Sequence, residues 1–190
     1  AARAVAARDC RARRCPYQKT GDAMTDTIDL YLIRHGLAGE SGSYPNDAER
    51  PLTDEGKKKT RQVAQRLFDL GLQFDLMLTS PLVRAKQTAG ILMDVGLADR
   101  MEEASFLANE PIDLWLDWLK TWKPGSRQQL ALVGHEPSLS EWAELLVWGE
   151  AKGAIALKKA GVIGITLPSR DRVIGHSTLF WLTPPRLLLP

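Results

Sequence analysis

Most of this sequence lacks cysteine. Both cysteines of the 190-residue chain, Cys10 and Cys15, lie near its start, and none follows them. Disulfides therefore cannot stabilise the remainder, which fits a cytoplasmic protein, because disulfides are rare in that compartment. Two cysteines without a nearby histidine also cannot complete a four-ligand zinc site.

Long apolar runs are missing as well. A membrane-spanning helix needs about 20 apolar residues, whereas the apolar stretch toward the C-terminus is interrupted by Lys158 and Lys159. We therefore expect no membrane partner and no membrane span. Hydrophobic residues make up 44% and charged residues 25% of the chain, which is typical of a globular protein, and the length suits one domain.

Acidic side chains are scarce at the start of the chain. Residues 1–23 carry a net charge of +4, so the rest carries −2 of the total of +2. The basic character thus belongs to a leader, and we expect no nucleic-acid partner. The leader lacks the apolar core of a secretory signal. A transit peptide is compatible with its composition, but we favour a non-native tag, translated upstream sequence or disordered segment, with Met24 starting a domain at 24–190.

The remainder alternates short apolar runs with amphipathic segments. Strands are predicted at 28–33, 74–79, 100–107, 130–133, 161–167 and 173–182, and helices at about 53–70, 80–93, 111–121 and 136–148. This alternation predicts an α/β fold whose largely parallel sheet is covered by helices on both faces. No internal repeat or interdomain linker is visible.

Polar residues directly follow three predicted strands: His35, Ser80 and His135. Ligands bind beyond the carboxyl ends of such strands, so we expect these side chains at one edge of the sheet. His35 stands between Arg34 and Gly36. A neutral histidine is a competent nucleophile, arginine suits phosphate oxygens, and glycine permits close backbone approach. Considered alone, this tripeptide is better explained by a histidine that only caps a loop than by a catalytic histidine.

Two further segments fit the same chemistry. Arg84 lies in the first turn of its predicted helix, where free N–H groups and the helix dipole favour an anion; a solvated surface arginine is the alternative. His135 either donates to a phosphoryl oxygen or is only a polar residue at a helix start. We interpret His176, on a late predicted strand, as structural, so the three histidines form no metal cluster.

Four segments occur together in one order: Leu-Ile-Arg-His-Gly at 32–36, Arg-Pro-Leu-Thr-Asp-Glu-Gly at 50–56, Thr-Ser-Pro-Leu-Val-Arg-Ala-Lys-Gln-Thr-Ala at 79–89 and Val-Gly-His-Glu-Pro at 133–137. From residue 28 onward the chain resembles the histidine phosphatase superfamily, also called the phosphoglycerate mutase-like or RHG family. Its short length and Arg-Pro-Leu-Thr loop are most similar to the small SixA-type phosphohistidine phosphatases. The resemblance implies a three-layer αβα sandwich with a mainly parallel central sheet.

The resemblance also implies residue roles. His35 would be the nucleophile, and Arg34, Arg84 and His135 would hold the phosphate. Arg50 matches the family's loop arginine, although a surface loop charge explains it equally well. A His35 ring nitrogen would attack phosphorus, and water would hydrolyse phospho-His35 without a metal or other cofactor. We expect neighbouring arginines to keep His35 unprotonated, and bound phosphate to favour protonated His135.

A general acid is the missing part of this pattern. Larger relatives supply a glutamate as this acid. In the corresponding region Glu102, Glu103 and Glu110 are each better explained as surface charges than as the acid, and Glu110 is kept as a candidate. Because an imidazole leaves more readily than an alkoxide, the gap favours phosphohistidine in a signalling or phosphorelay protein as the substrate. The alternatives are a phosphomonoesterase acting on a small molecule or phosphoprotein, and a phosphoryl-binding module without turnover.

Tryptophan is abundant, with six residues in the chain. Such residues could mark a partner surface. Because they lie at helical spacing beside leucines, we expect most of them in the core instead.

Overall fold

The computed structural model of the chain describes residues 27–108, 110–168 and 171–189. The predicted leader at 1–23 and most of the predicted turn at 169–171 lie outside the described residues. Within those three ranges, no helix is long and apolar enough to cross a bilayer.

A six-stranded sheet forms the centre of the described structure. Its strands are β1 (Ile28–Arg34), β2 (Leu76–Thr79), β3 (Met101–Glu103), β4 (Gln129–Gly134), β5 (Val162–Leu167) and β6 (Thr178–Thr183). They are ordered β3-β2-β4-β1-β5-β6. Strands β1 to β4 run parallel to one another. At one side of the sheet, β5 pairs antiparallel with β1, and β6 pairs antiparallel with β5. The mainly parallel sheet predicted from the alternating pattern is thereby confirmed.

Within the described residues, four α-helices cover the two faces of the sheet: α1 (Asp54–Asp69), α2 (Val83–Val95), α3 (Ile112–Thr121) and α4 (Ser138–Trp148). Because successive strand residues point to opposite faces, β1 contributes to two separate cores. Ile33 packs in the core that contains α1 and α2, and Leu32 in the core that contains α3 and α4. These two cores make the molecule the three-layer αβα sandwich that we expected.

Some element bounds differ from the sequence-based ones. Helix α2 begins at Val83 rather than at Ser80, because Ser80 still donates its N–H to Val133 at 3.0 Å and extends the sheet pairing. Strand β6 begins at Thr178 rather than at 173, because Ser177 donates its N–H to Leu146 of α4 and forms a turn there. His176 lies in this turn and is exposed.

The tryptophans divide between core and surface. Trp115 and Trp142 are buried and stack with ring centroids 5.8 Å apart. Trp148 is exposed at the end of α4. The expectation of core tryptophans therefore applies to Trp115 and Trp142, but not to Trp148.

Candidate active site

The site lies where β1, β2 and β4 end side by side. In the parallel register Arg34 is opposite Gly134, and Thr79 is opposite Val133. His35 continues this pairing by donating its N–H to Gly134 at 3.1 Å. The sheet thus brings His35 and His135 together, and their ring centroids lie 5.1 Å apart with planes tilted by 52°.

The His35 ring has a defined orientation. Its Nδ1 lies 2.7 Å from the carbonyl oxygen of Gly36, and the side chain is buried. A carbonyl oxygen only accepts hydrogen bonds, so Nδ1 carries the proton and Nε2 of the neutral ring keeps its lone pair. This leaves Nε2 as the nitrogen able to attack an electrophile.

The surroundings of His35 favour the neutral ring. Burial is the largest cause that lowers its pKa, to about 3, and the charges of His135, Arg84 and Arg34 lower it further, while the bond to Gly36 opposes them. We had expected the arginine charges to keep the ring neutral. They contribute in that direction, but loss of hydration contributes most.

His135 is buried beside His35 and close to Ser80. Its Nε2 lies 2.8 Å from the Ser80 hydroxyl, and its Nδ1 is buried without a hydrogen-bond partner in the described structure. Burial, followed by the charge of Arg84, lowers the pKa of His135 to about 4. The ring is therefore neutral at pH 7 unless a bound anion raises its pKa.

The guanidinium of Arg84 extends from the first turn of α2 into the buried site. It donates from Nη1 to the Asp47 carbonyl at 2.8 Å, and its Nη2 pairs with Oδ2 of Asp47 at 3.2 Å. Burial lowers its pKa, which Asp47 opposes. The charge of Arg84 acts on the pKa of both His35 and His135, so the three groups share one electrostatic neighbourhood.

Arg34 approaches the same neighbourhood from the end of β1. It donates from Nη1 to the carbonyl of Leu157 at 2.7 Å, and its charge also lowers the pKa values of His35 and His135. Burial lowers the pKa of Arg34 itself, and nearby Glu136 opposes this.

Three buried nitrogens at the site have no partner among the described residues: Nε of Arg34, Nε of Arg84 and Nδ1 of His135. A buried polar group without a partner is costly, and such groups mark places where a ligand or water is expected. Two arginines and a histidine are suited to an oxyanion with several acceptor oxygens.

Comparisons with known proteins identify the family of the chain. The sequence profile of the histidine phosphatase superfamily (branch 1) matches residues 30–131, more than half of the chain. The chain belongs to this superfamily. The matched range contains Arg34, His35, Arg50 and Arg84, and it ends four residues before His135.

Individual relatives extend the match to almost the whole domain. An uncharacterized protein of Picosynechococcus sp. is 43% identical over 166 residues, 86% of this chain and 100% of that protein. The structure of the histidine phosphatase SixA complexed with tungstate superposes with a TM-score of 0.73 at 23% identity and covers 85% of this chain and 99% of that one.

A phosphatase that is named for a different substrate has the same fold. A phosphoserine phosphatase of Entamoeba histolytica, in complex with 3-phosphoglyceric acid, superposes with a TM-score of 0.62 at 18% identity, covering 85% of this chain and 100% of that one. At such identities the likeness concerns the fold. Superfamily membership and this SixA-like fold support a phosphatase, and the substrate has to be argued from the site.

Arg50 lies at the edge of the candidate site and is linked to Arg84 through Asp47. Its Nε donates to Oδ1 of Asp47 at 2.9 Å, and its Nη1 donates to the carbonyl of Gly39 at 2.9 Å. The charge of Arg50 lowers the pKa of Arg84 and of His135. The structure therefore places this loop arginine beside the other predicted residues rather than on a remote surface.

Packing is one reason for a glycine at position 36, and its predicted role in letting the backbone approach a ligand stays a prediction. A Cβ atom at this position would clash with the hydroxyl oxygen of Thr60 on α1. The Gly36 N–H donates to the Thr88 hydroxyl at 3.0 Å, and that hydroxyl donates to the Arg84 carbonyl at 2.8 Å. The glycine thus lets β1 fit closely between α1 and α2.

The glutamates that we considered as general acids from the sequence are exposed, and a different glutamate lies beside the site. Glu102 and Glu103 are exposed on β3 and pair with Arg100 and Lys86. Glu110 is exposed in the loop before α3. A half-buried carboxyl that we had not singled out, Glu136, follows His135 directly.

Glu136 accepts a hydrogen bond from the Ser140 hydroxyl at 2.9 Å. Its burial raises its pKa, which Ser140 and Arg34 oppose. The signal in the sequence was its position next to His135. Asp47 was also missed, and nothing in the sequence connects it with Arg84, 37 residues away.

Proposed function

We propose that this protein is a phosphohistidine phosphatase that works through a phospho-His35 intermediate without a metal ion. The observation that carries the proposal is the buried His35 ring, whose Nδ1–H bond to Gly36 leaves Nε2 unprotonated beside two arginines and His135. This combination provides a nucleophile and a positively charged cradle for a phosphoryl group.

The first chemical step is in-line attack. The Nε2 lone pair of His35 forms a bond to phosphorus while the phosphorus–nitrogen bond of the substrate breaks and its electron pair goes to the departing imidazole, which takes a proton from solvent. Charge spreads over the three equatorial phosphoryl oxygens in such a transition state. Arg34, Arg84 and His135 hold these oxygens.

The second step is hydrolysis. A water oxygen attacks phosphorus, the bond to Nε2 breaks, and its electron pair returns to the His35 ring. The water's two protons leave with the inorganic phosphate. The Nδ1–H bond to Gly36 keeps the ring oriented through both steps. A bound phosphoryl dianion also raises the pKa of His135, so that this ring becomes a charged donor when it is needed.

The substrate class follows from the leaving group. A phosphorylated imidazole takes a proton from solvent on its second ring nitrogen and then leaves as a neutral ring, whereas an alkoxide leaves poorly without a positioned acid. Glu110 is exposed, and the site's other described groups are cations or neutral histidines, apart from the ion-paired Asp47 and the half-buried Glu136. We therefore infer a phosphohistidine residue of a signalling or phosphorelay protein, acting in the cytoplasm, as the substrate.

One observation favours a second candidate, a phosphomonoesterase. The raised pKa of half-buried Glu136 increases the fraction of this carboxyl that holds a proton near neutral pH. In this candidate Glu136, rather than Glu110, protonates the leaving alkoxide. Glu136→Gln should then lower turnover of phosphoserine, whereas turnover of phosphohistidine and of p-nitrophenyl phosphate, whose phenolate leaves without an acid, should stay almost unchanged.

The deciding experiment measures phosphate release from a phosphohistidine-bearing protein and from phosphoserine, with His35→Ala as the matched control. We expect release from phosphohistidine that His35→Ala abolishes. Arg84→Ala and His135→Ala should each reduce the rate by about 10²–10³, as expected for loss of one transition-state donor. Equal turnover in His35→Ala would refute the mechanism. Phosphate binding without turnover would instead support a non-catalytic phosphoryl-binding module.

A further inference from the structure

A buried carboxylate outside the proposed phosphate site connects to it through the backbone. Glu144 lies in the middle of α4 and is 1% exposed. Its Oε1 accepts the N–H of Ile155 at 2.6 Å, and its Oε2 accepts the N–H groups of Gly153, at 2.7 Å, and Lys152. These N–H groups lower the pKa of Glu144, with that of Ile155 contributing most.

The three N–H groups belong to the α4–β5 connection, residues 149–161. This connection contains no helix or strand between α4 and β5, so its backbone groups need other partners. Burying a carboxylate is costly unless hydrogen bonds compensate it. Here the carboxylate and the backbone satisfy each other, and the α4–β5 connection is fixed to α4.

The same connection contacts two residues of the proposed phosphate site, Arg34 and His35. Leu157 accepts the Nη1 donor of Arg34 at 2.7 Å. The Ala160 N–H donates to the carbonyls of both Arg34 and His35 at 3.1 Å. Ser140, one turn before Glu144 on α4, accepts the Leu157 N–H at 3.3 Å. Two side chains of α4 therefore determine where the Leu157 carbonyl lies.

The Leu157 carbonyl decides which part of the Arg34 guanidinium is available. It occupies Nη1, whereas Nε stays buried without a partner among the described residues. A guanidinium binds an oxyanion best through a fixed pair of donors. A displaced Leu157 carbonyl would release Nη1 and allow the guanidinium to rotate, so the donors would no longer be preorganised.

We propose that Glu144 is a positioning residue that, by fixing the α4–β5 connection through its backbone N–H groups, holds Arg34 in the orientation that binds the phosphoryl group. This inference rests on the proposed function of Arg34 in phosphate binding. It assigns a role in that function to a side chain that does not touch the substrate.

The test uses inorganic phosphate as the probe and the full chain as the protein. Glu144→Gln keeps the size of the side chain but turns one acceptor into a donor that faces the backbone N–H groups. We expect the Kd for phosphate, and the KM for p-nitrophenyl phosphate, to rise about tenfold, by analogy with the loss of a group that orients a metal ligand. Glu141→Gln, an exposed position on the same helix, should change neither value.

A double-mutant comparison separates positioning from general destabilisation. In an Arg34→Gln background, Glu144→Gln should change the phosphate Kd less than twofold, because the residue that it positions is absent, while the loss of thermal stability should be the same in both backgrounds. An equal change of Kd in both backgrounds, or no change in either, would overturn the proposal.

Ser140→Ala provides a second route if Glu144→Gln does not fold. It removes the hydroxyl that accepts the Leu157 N–H and should raise the phosphate Kd about threefold, again only when Arg34 is present. Failure of this pattern in a variant that still releases phosphate through His35 would reject the inference about α4 and leave the proposed function intact. Loss of His35-dependent turnover in the unaltered protein would instead reject the proposed function.

Discussion

At the scale of single residues, the site is unusual because it buries two neutral histidines beside two arginines. Burial is the largest influence on both rings and lowers their pKa values to about 3 for His35 and about 4 for His135, from an ordinary value of 6.5. A histidine that is protonated in the unfolded chain must therefore lose its proton on folding. This links the chemistry of the site to the stability of the protein.

The free energy of unfolding should consequently fall as the pH drops from 7 to 5. In this window the unfolded chain binds more protons than the folded protein, because both histidine pKa values are lowered on folding, so acid favours the unfolded chain. Each ring should cost about 2 kcal/mol at pH 5 relative to pH 7. Urea unfolding curves at pH 7, 6 and 5 measure the effect.

The matched variant for this measurement is His35→Asn combined with His135→Gln, which keeps polar atoms near the positions of Nδ1 of His35 and Nε2 of His135. Its unfolding free energy should depend less steeply on pH between 7 and 5. Glu144 does not interfere in this window, since its lowered pKa makes its contribution decline only below its ordinary value of 4.5. Identical slopes in the variant and the unaltered protein would show that the histidines are not the source.

At the scale of elements, the loop between β1 and α1 places an anion directly on an arginine of the phosphate site. The short turn Asp47–Glu49 holds the Asp47 carboxylate 3.2 Å from Nη2 of Arg84. The carboxylate is half exposed, and it also pairs with Arg50 at 2.9 Å. A phosphoryl group that binds Arg84 must share this guanidinium with Asp47.

Asp47→Asn should therefore strengthen phosphate binding. The variant keeps the backbone carbonyl that accepts from Arg84 and removes only a negative charge near the anion. An exposed ion pair is worth up to about 1 kcal/mol, so the inhibition constant for inorganic phosphate should fall by up to about fivefold. Glu49→Gln, an exposed position in the same turn, serves as the control. Weaker binding in Asp47→Asn would mean that the carboxylate orients Arg84 instead of competing for it.

Elements near the site were predictable to different degrees. Helix α1 could be located because Thr53 and the acidic residues after it form a local start signal, and Thr53 indeed accepts the Gly56 N–H at 3.0 Å. The start of β6 could not be located, because residues 173–177 are apolar enough for a strand and only their contact with α4 makes them a turn. A sequence signal therefore located the end of an element where residues close together in the sequence form the hydrogen bonds that define this end.

At the scale of the whole molecule, the sheet explains why three distant motifs could be connected from the sequence. Parallel strands bring their carboxyl ends to one edge, and the strand order β2-β4-β1 makes the residues after these strands neighbours. The contacts of the loops at that edge follow no such rule. Asp47 meets Arg84, and Leu157 meets Arg34 across 123 positions in the chain. These side chains could be found only in three dimensions.

The two cores of the described structure are built from residues 28–188, so we predict that the domain folds without residues 1–23. A protein comprising residues 24–190 should have the thermal unfolding midpoint and the phosphatase rate of the full chain.

A further deletion to residue 30 serves as the control. It removes Ile28 and Leu30, which are fully buried in β1, and should lower the midpoint strongly because large apolar side chains leave the core. A clear loss of stability on removing residues 1–23 alone would show that the leader packs against the domain and contributes to its folding.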